Sequence, residues 1–580
     1  MSTYILKETP SGKLTLVHRN SHDIRLHSGY DPGREAERAA AGFSTGRSTV
    51  IAVSGIGLGY HIDCLKKKFP GKLICALEHD PEVVDITQKT YPHHLAGVAV
   101  ITSASGLPAV FENLDIAGFR GIAYYIHRPS YMLHKNFYDA LMKDMNQYAS
   151  SKISDLLTRI EFEERWGENI LSNVRHLFTS TRAVQLFGMF AGCPGVIVSA
   201  GPSLRMNVDL LSQMRDRALI VSVDTALKVL SKKNIVPHIV MSLDAQKQSL
   251  KHFLGAGDDR TALLADLVCF PAVLRSYSGK KIISTTSKYY PDAGGNLNRE
   301  TTPLVGWIEK YAEPIGDIQS GGSVATSVFD FLLNLGCSPI ILVGQDLAYT
   351  GREIHASGTY HNDEWLPQTN RFKNLDTINQ GIIRRRKTKY IQAYGGKGEV
   401  ISDFVFDLYR GWFEDSARKV GVPVINASEG GARIKHTEER TLAYMLGQCD
   451  ILNPTPGEIL DRLLSVGRKG RPERLKNAIR SAIDSLKKVQ SLAAGALANK
   501  DDAVQLDELV NSVEIQEILQ PFLRRTKTYL SRYAAAGTDP GQIVTKDIIS
   551  SVDSLIPAME LSMMELEGLS LSSPADNTRG

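Results

Sequence analysis

Four short apolar runs, VIVSA, ALIVSVD, HIVMSLD and PIILVGQD, recur between residues 191 and 447. Runs so short and so uniformly apolar are read as strands buried on both faces. Stretches at helical spacing alternate with them: LRMNVDLLSQM, TALKVLSKKN and SVATSVFDFLLNLG. In the first of these, Leu204, Val208, Leu211 and Met214 fall on one helical face. Strands alternating with helices imply a parallel sheet covered on both sides, so the central fold is Rossmann-like α/β.

The flanks differ from this centre. Residues 1–150 read as a smaller α/β domain built around STVIAVSGIGLGYHIDCLKKKFPGKLICALEHD. There a strand meets Gly55, Gly57 and Gly59, a helix follows, and a second strand ends at Glu78. That order of strand, glycine turn, helix, strand and acid is the mononucleotide-binding layout. Residues 151–190 are expected to be a helical connector and 191–447 the central domain. Residues 450–565, rich in helix formers with apolar residues at i, i+3 and i+4, read as a helical domain. The tail 566–580 is expected to be disordered.

Bulk properties exclude several classes. The net charge of +4 on 580 residues gives no global argument for nucleic acid or an anionic membrane. The six cysteines form no CxxC pair, so neither a disulfide framework nor a cysteine zinc site is indicated. No apolar run approaches the ~20 residues of a membrane helix. No signal peptide is evident at the N-terminus, and a cytoplasmic location is expected.

Chemistry-bearing residues cluster at strand ends. In IVSAGPSL, Gly201 and Pro202 precede Ser203 at an expected helix start. Small residues and free helix N–H groups suit an anion there, and a plain strand–helix turn is the alternative. Asp224 and Asp244 end two strands, where ligands of open α/β sheets sit; helix capping is the competing role. Gly321, Gly322 and Ser323 form a second anion-ready turn. Gln345 and Asp346 end another strand, and the loop after them carries His355 and His361. A loop histidine can take a proton from an attacking hydroxyl, although two of the chain's 15 histidines can equally be solvated. Asn426, Ser428 and Glu429 follow a later strand. The basic run 384–387 is read first as a solvated face and second as a docking patch.

In that order, IVSAGPSL, VSVDTAL, PHIVMSLDAQ, SGGSVATSVFDFLLNLGCSPIILVGQDLAYTGREIHASGTYH, GGKGEV and VINASEGGARI resemble the motility accessory factor proteins, bacterial flagellin glycosyltransferases. The resemblance covers about 190–440. It implies transfer of a nonulosonic acid of the pseudaminic or legionaminic type, from its CMP-activated form to serine or threonine of flagellin. The central domain is also similar to bacterial sialyltransferases with a GPSL turn at the nucleotide. Carried over, Gly201, Pro202, Ser203 and Leu204 hold the CMP phosphate. Asp224, Asp244 and Gln246 lie near ribose or cytosine. Gly321, Gly322 and Ser323 contact the nucleotide or the sugar carboxylate, and Gln345, Asn426 and Glu429 complete the donor site. His355, His361 and Asp346 are the candidate catalytic groups. Attack on the anomeric carbon with CMP leaving implies inversion. No metal or other cofactor is obligatory, because helix N-termini can neutralise the leaving phosphate.

Two other readings stay open. The central domain also resembles archaeal 6-hydroxymethylpterin pyrophosphokinase, a magnesium–ATP enzyme, although Asp244 stands alone in MSLDAQ where paired acids are expected. A non-enzymatic flagellin-binding factor, docking through the C-terminal helices, is the second. The glycine turn at Gly55–Gly59 also looks like a nucleotide or S-adenosylmethionine fold, and it is read as a scaffold with vestigial binding.

Overall fold

The computed structural model describes residues 3–19, 23–112, 114–291, 297–466, 470–497, 499–533 and 539–572. The chain divides into two compact units: Met1–Glu161 with Tyr290–Asn298 and Arg524–Pro540, and Phe162–Tyr289 with Arg299–Leu523 and Gly541–Gly580.

The first unit opens with antiparallel strands β1 (Tyr4–Glu8), β2 (Leu14–His18) and β3 (Ile24–Arg25). A parallel sheet follows: β4 (Val50–Ser54), β5 (Leu73–Leu77), β6 (Ala99–Ile101) and β7 (Ile122–Ile126), in the order β6-β5-β4-β7. Alternate residues of β4 enter opposite cores, Ile51 and Val53 on one side, Val50 and Ala52 on the other. Burial on both faces explains why the strand carries no polar alternation.

The second unit holds the large sheet. Its strands are β8 (Thr181–Arg182), β9 (Gly195–Val198), β10 (Leu219–Val223), β11 (Ile239–Ser242), β12 (Ala262–Asp266) and β13 (Lys281–Thr286). After the ribbon β14 (Lys288–Pro291) and β15 (Leu297–Glu300) come β16 (Asp317–Ile318) and β17 (Ile340–Val343). The hairpin β18 (Thr388–Gln392)–β19 (Glu399–Asp403) precedes β20 (Val424–Asn426) and β21 (Glu438–Glu439). The order is β16-β13-β12-β11-β10-β9-β17-β20-β21, and its neighbours pair in parallel. The expected parallel α/β sheet is therefore present, with two features the strand–helix rhythm does not reveal.

First, the helices beyond Asn453 share a core with the outer half of the sheet instead of forming a separate module. Leu475, Ile479, Leu486, Ile518, Leu519, Val552 and Leu555 pack in one cluster with Val240, Leu263, Ala265 and Ile283. In Glu473–Ala496 the buried residues Leu475, Ile479, Ile483 and Leu486 recur at helical spacing, and their stripe needs an apolar partner, which the sheet supplies. Second, the helix expected after Ser203 is broken. Residues Pro202–Met206 and Val208–Leu210 are 3-10 turns, and only Leu211–Met214 is α-helical. Asn207 interrupts the run because its side-chain Nδ2 donates to the Ala427 carbonyl at 2.7 Å. Leu204, Val208, Leu211 and Met214 are nonetheless all buried.

The connector expected at 151–190 is in part the end of a longer helix, Lys135–Asn173. The last helix, Pro540–Ser572, extends into the tail expected to be disordered, and 573–580 lie outside the described residues. No described helix is long and apolar enough to cross a membrane.

Because helices and sheet share one core, Ile479→Ala should destabilise the whole second unit by about 3 kcal/mol. Urea unfolding followed by circular dichroism should show its transition moving as one step; a small separate helical transition would contradict the shared core.

Candidate functional site

The chain leaves β9 outward through β10, β11, β12 and β13, and leaves β17 in the other direction toward β20 and β21. A crevice opens beyond the carboxyl ends of a parallel sheet at such a reversal. Ser199–Ser203 follow β9 and Gly344–Asp346 follow β17, so both segments border this point.

These two segments touch each other. The Gly201 N–H donates to the Gly344 carbonyl at 2.9 Å. A Cβ on Gly201 would lie 2.2 Å from Asp346 Oδ1, and one on Gly431 would lie 2.4 Å from Asp346 Cα. Glycine is thus demanded here by the approach of the chain to itself. Asp346, 2% exposed, accepts the Ser203 N–H at 3.1 Å, the Ser203 hydroxyl and the Thr350 hydroxyl. The donors that the sequence assigns to a phosphate are engaged by a carboxylate. The short 3-10 turn behind Ser203 also lacks the aligned dipoles of a long helix. Burial raises the Asp346 carboxyl, while Ser203 and Thr350 oppose the rise. Its geometry is that of a clamp between strand ends.

Several other candidates form the floor beneath this clamp. Pro202 is buried and Leu204 lies wholly in the core. Gln345 turns inward: its Oε1 accepts from Ser199 Oγ at 2.5 Å, and its N–H donates to Ser428 Oγ at 2.9 Å. Asn426 is fully buried and accepts the Ser428 N–H at 3.2 Å. Glu429, at φ 58°, accepts from Asn207 Nδ2 at 3.2 Å and from the Leu442 N–H at 2.9 Å. Gly321 and Gly322 lie under aromatics, where added Cβ atoms would meet Trp412 at 2.4 Å and Tyr409 at 3.0 Å. Ser323 caps Val324–Asn334 by accepting the Thr326 N–H at 3.4 Å. The Gly321 N–H donates to Thr326 Oγ1 at 2.9 Å. This second turn also uses donors internally.

Beyond β10 and β11 lies a second constellation. Asp224 accepts from Ser242 Oγ at 2.8 Å and from the Thr225 N–H at 2.7 Å. The Asp244 carboxylate accepts only the Gln246 N–H, at 2.9 Å, among the described residues. Burial first, and the Asp224 charge after it, push the Asp244 carboxyl up. Three imidazoles adjoin: His355 and His361 have ring centroids 4.8 Å apart, and His252 lies 5.8 Å from His361 and 4.8 Å from the Tyr360 ring. His252 Nδ1 is buried without a partner among the described residues. Burial, with the neighbouring imidazoles, lowers His355 to about 3 and His361 to about 4. The Ala200 carbonyl accepts the Ala356 N–H at 2.8 Å, so the histidine loop is fastened to the AGPSL turn.

The sequence missed Ser199, Asn207, His252 and Thr350; Ser199 and Asn207 act on partners more than 140 residues away, and Thr350 bonds Asp346 four residues before it. His252 was the most legible of them, in the segment that follows Asp244. A cavity of about 540 Å³ lined by Tyr289, Arg299, Asp317, Gln319 and Asp330 opens at the β16 edge, away from the β9–β17 reversal.

The glycine turn of the first unit is filled by the chain as well. Glu78 accepts the Ile56 N–H at 2.8 Å, the His79 N–H at 2.9 Å and the Tyr138 hydroxyl at 3.1 Å. The Leu58 N–H donates to His27 Nε2 at 2.6 Å. The layout of a nucleotide fold is present, with its donors and its acid already engaged.

Two outcomes follow from this geometry. Asp346→Ala leaves the buried Ser203 N–H and hydroxyl unpaired and should cost about 3 kcal/mol, whereas Asp346→Asn, which keeps an acceptor, should cost less; denaturant midpoints check the order. His355 and His361 are held below their unfolded value of 6.5, at about 3 and about 4. Between these values the unfolded chain binds more protons, so stability is full above about pH 6.5 and is lost as pH falls. Neither Arg386 nor Lys251, both of which further lower these imidazoles, reverses the sign. Melting followed from about pH 7 to about pH 5 should show a falling midpoint, with a shallower slope in His355→Gln.

Residues 168–352 match the family model described as MptE-like, 6-hydroxymethylpterin diphosphokinase MptE-like. An uncharacterised protein of Treponema pallidum (strain Nichols) is 26% identical over 278 residues, 47% of this chain and 48% of that protein. A second from the same organism is 24% identical over 196 residues, 31% of this chain and 50% of that protein. The chain thus spans about half the length of these curated relatives. The solved structure of a Maf glycosyltransferase from Magnetospirillum magneticum AMB-1 aligns with a TM-score of 0.59 at 12% identity, covering 99% of this chain and 96% of that one. Along almost its whole length, the chain has the fold of that Maf glycosyltransferase.

Proposed function

We propose that this protein is a glycosyltransferase that moves a nonulosonic acid of the pseudaminic or legionaminic type from its CMP-activated form to serine or threonine of flagellin. The observation that carries the reading is the group of neutral imidazoles, His252, His355 and His361, beside Asp224 and Asp244 at the carboxyl edge of the large sheet. The shared fold with the Maf glycosyltransferase supports it. His361, less depressed than His355, takes the proton of the acceptor hydroxyl as that oxygen attacks the anomeric carbon. CMP leaves from the opposite face, and the configuration inverts. The Ala356 N–H, donating to the Ala200 carbonyl, holds the loop that carries His355, and Asp346 fixes the turn on which it rests. Asp244, with one oxygen uncommitted among the described residues, accepts from a ribose hydroxyl or a base amine. The reaction needs no bound metal in this scheme, and a cytoplasmic setting suits a nucleotide-activated donor.

The match over 168–352 favours a second reading, magnesium-dependent pyrophosphoryl transfer from ATP to a pterin. In that reading Asp244, with one carboxylate oxygen uncommitted among the described residues, would hold a magnesium ion that neutralises the phosphate charge, and Asp224 would have to give up its bonds to Ser242 and Thr225 to join it. Calorimetry with CMP, with ATP and magnesium, and with S-adenosylmethionine separates the readings. CMP binding is expected, and ATP–magnesium binding without CMP binding overturns sugar transfer. In a transfer assay with CMP-nonulosonate and flagellin, His361→Ala should lower kcat by about 100-fold while CMP affinity stays unchanged.

A further inference from the structure

In the first unit, the strand order β6-β5-β4-β7 reverses between β4 and β7. At that reversal three histidines from distant segments meet: His27 beyond β3, His61 in the helix Tyr60–Lys68, and His127 directly after β7. They are 4%, 2% and 8% exposed, and one ring nitrogen of each lies within 4.8 Å of the others. Among the described residues this is the trio of potential ligands that converges so closely. Ring centroids are 4.4 Å apart for His61–His127, 4.9 Å for His27–His127 and 6.1 Å for His27–His61.

Such a cluster has no role in the second unit's chemistry, and nucleotide binding does not require it. It fills the place where the glycine loop of a nucleotide fold holds phosphate. A Cβ on Gly57 would lie 2.4 Å from His27 Nε2, so the loop is closed onto the imidazoles. No carboxylate or thiolate belongs to the trio.

We propose that His27, His61 and His127 bind one divalent ion of the zinc class. The donors fit that chemistry. Neutral imidazole is a preferred ligand of zinc, and three of them with an open fourth position make a familiar donor set. Burial holds all three neutral, with His61 lowered to about 4. Ring orientation is set from outside the trio, as at built metal sites. His61 Nε2 meets the Gly55 carbonyl at 3.0 Å, which leaves Nδ1 for the ion. His127 Nδ1 meets Ser130 Oγ at 2.8 Å. Binding requires the nitrogens, now within 4.8 Å of one another, to draw together, given Zn–N bonds of about 2 Å, and the His61 and His127 rings, stacked with 10° between their planes, to turn so that their lone pairs converge. It also releases one backbone bond, from the Leu58 N–H to His27 Nε2. That is a modest loss beside a three-imidazole site. The bound ion ties the N-terminal ribbon, the glycine turn and the end of β7 to one point. It is a structural site, independent of the reaction proposed for the other unit.

The full chain, with any histidine tag removed, is loaded with zinc, dialysed against metal-free buffer, and its metal content measured. Zinc X-ray absorption then reports the ligand atoms, which matters because all six cysteines are free. About one zinc per chain in an all-nitrogen shell with three histidines is expected, with affinity at least tenfold lower in His61→Ala and in His127→Ala. No retained zinc, a shell containing sulfur, or unchanged binding in both variants overturns the proposal. Should the variants fail to fold, the absorption spectrum of the wild-type chain decides alone.

Discussion

The second unit depends on how closely the ends of β9 and β17 approach. Gly201, Gly344 and Gly431 leave no space for a Cβ around Ser199 and Asp346, and the Asp346 carboxylate fills that space with three accepted hydrogen bonds. A buried carboxylate without such donors is costly, and buried hydroxyl and amide donors without an acceptor are costly too. Each side of the clamp therefore stabilises the other. The floor of Gln345, Asn426, Ser428 and Glu429 extends the same network to β20 and to the Leu442 N–H. The rigidity of this junction lets the His355–His361 loop be positioned through the Ala200 carbonyl.

The two parallel sheets place polar groups at the same topological position with opposite results. In the second unit the strand ends near the β9–β17 reversal keep Asp244 with an uncommitted carboxylate oxygen among the described residues, with the paired imidazoles of His355 and His361 nearby. In the first, the reversal between β4 and β7 is closed by the chain itself, with Glu78 satisfied from several directions and three histidines packed under the glycine loop. Sheet topology gives each unit a place for a ligand, and side chains decide whether the place stays open.

Acidic stretches of sequence that look alike separate once their partners are known. Asp224, Asp244 and Asp346 all end or follow strands. Asp224 is saturated by Ser242 and Thr225, and Asp346 by Ser203 and Thr350. Asp244 keeps an oxygen uncommitted among the described residues. Only the last has the free valence that ligand recognition requires.

The sequence alone determined the parallel α/β architecture, because short, wholly apolar strands alternating with helices have few other ways to bury both faces. It also marked the strand ends where polar groups gather, since IVSAGPSL, VSVD, MSLD and ILVGQD carry that signal locally. Amphipathic periodicity revealed the helices after Asn453 but not the core they share with Val240 and Ile283, because a stripe does not name its partner. The expected helix after Ser203 failed for a similar reason: the Asn207 side chain bonds Ala427, far along the chain, and breaks the run. Which glycine faces a ligand and which faces Asp346, which Asp is saturated, and that His27 meets His61 and His127, were decided by the tertiary structure. These are contacts between residues far apart in the chain, and local spacing carries no trace of them.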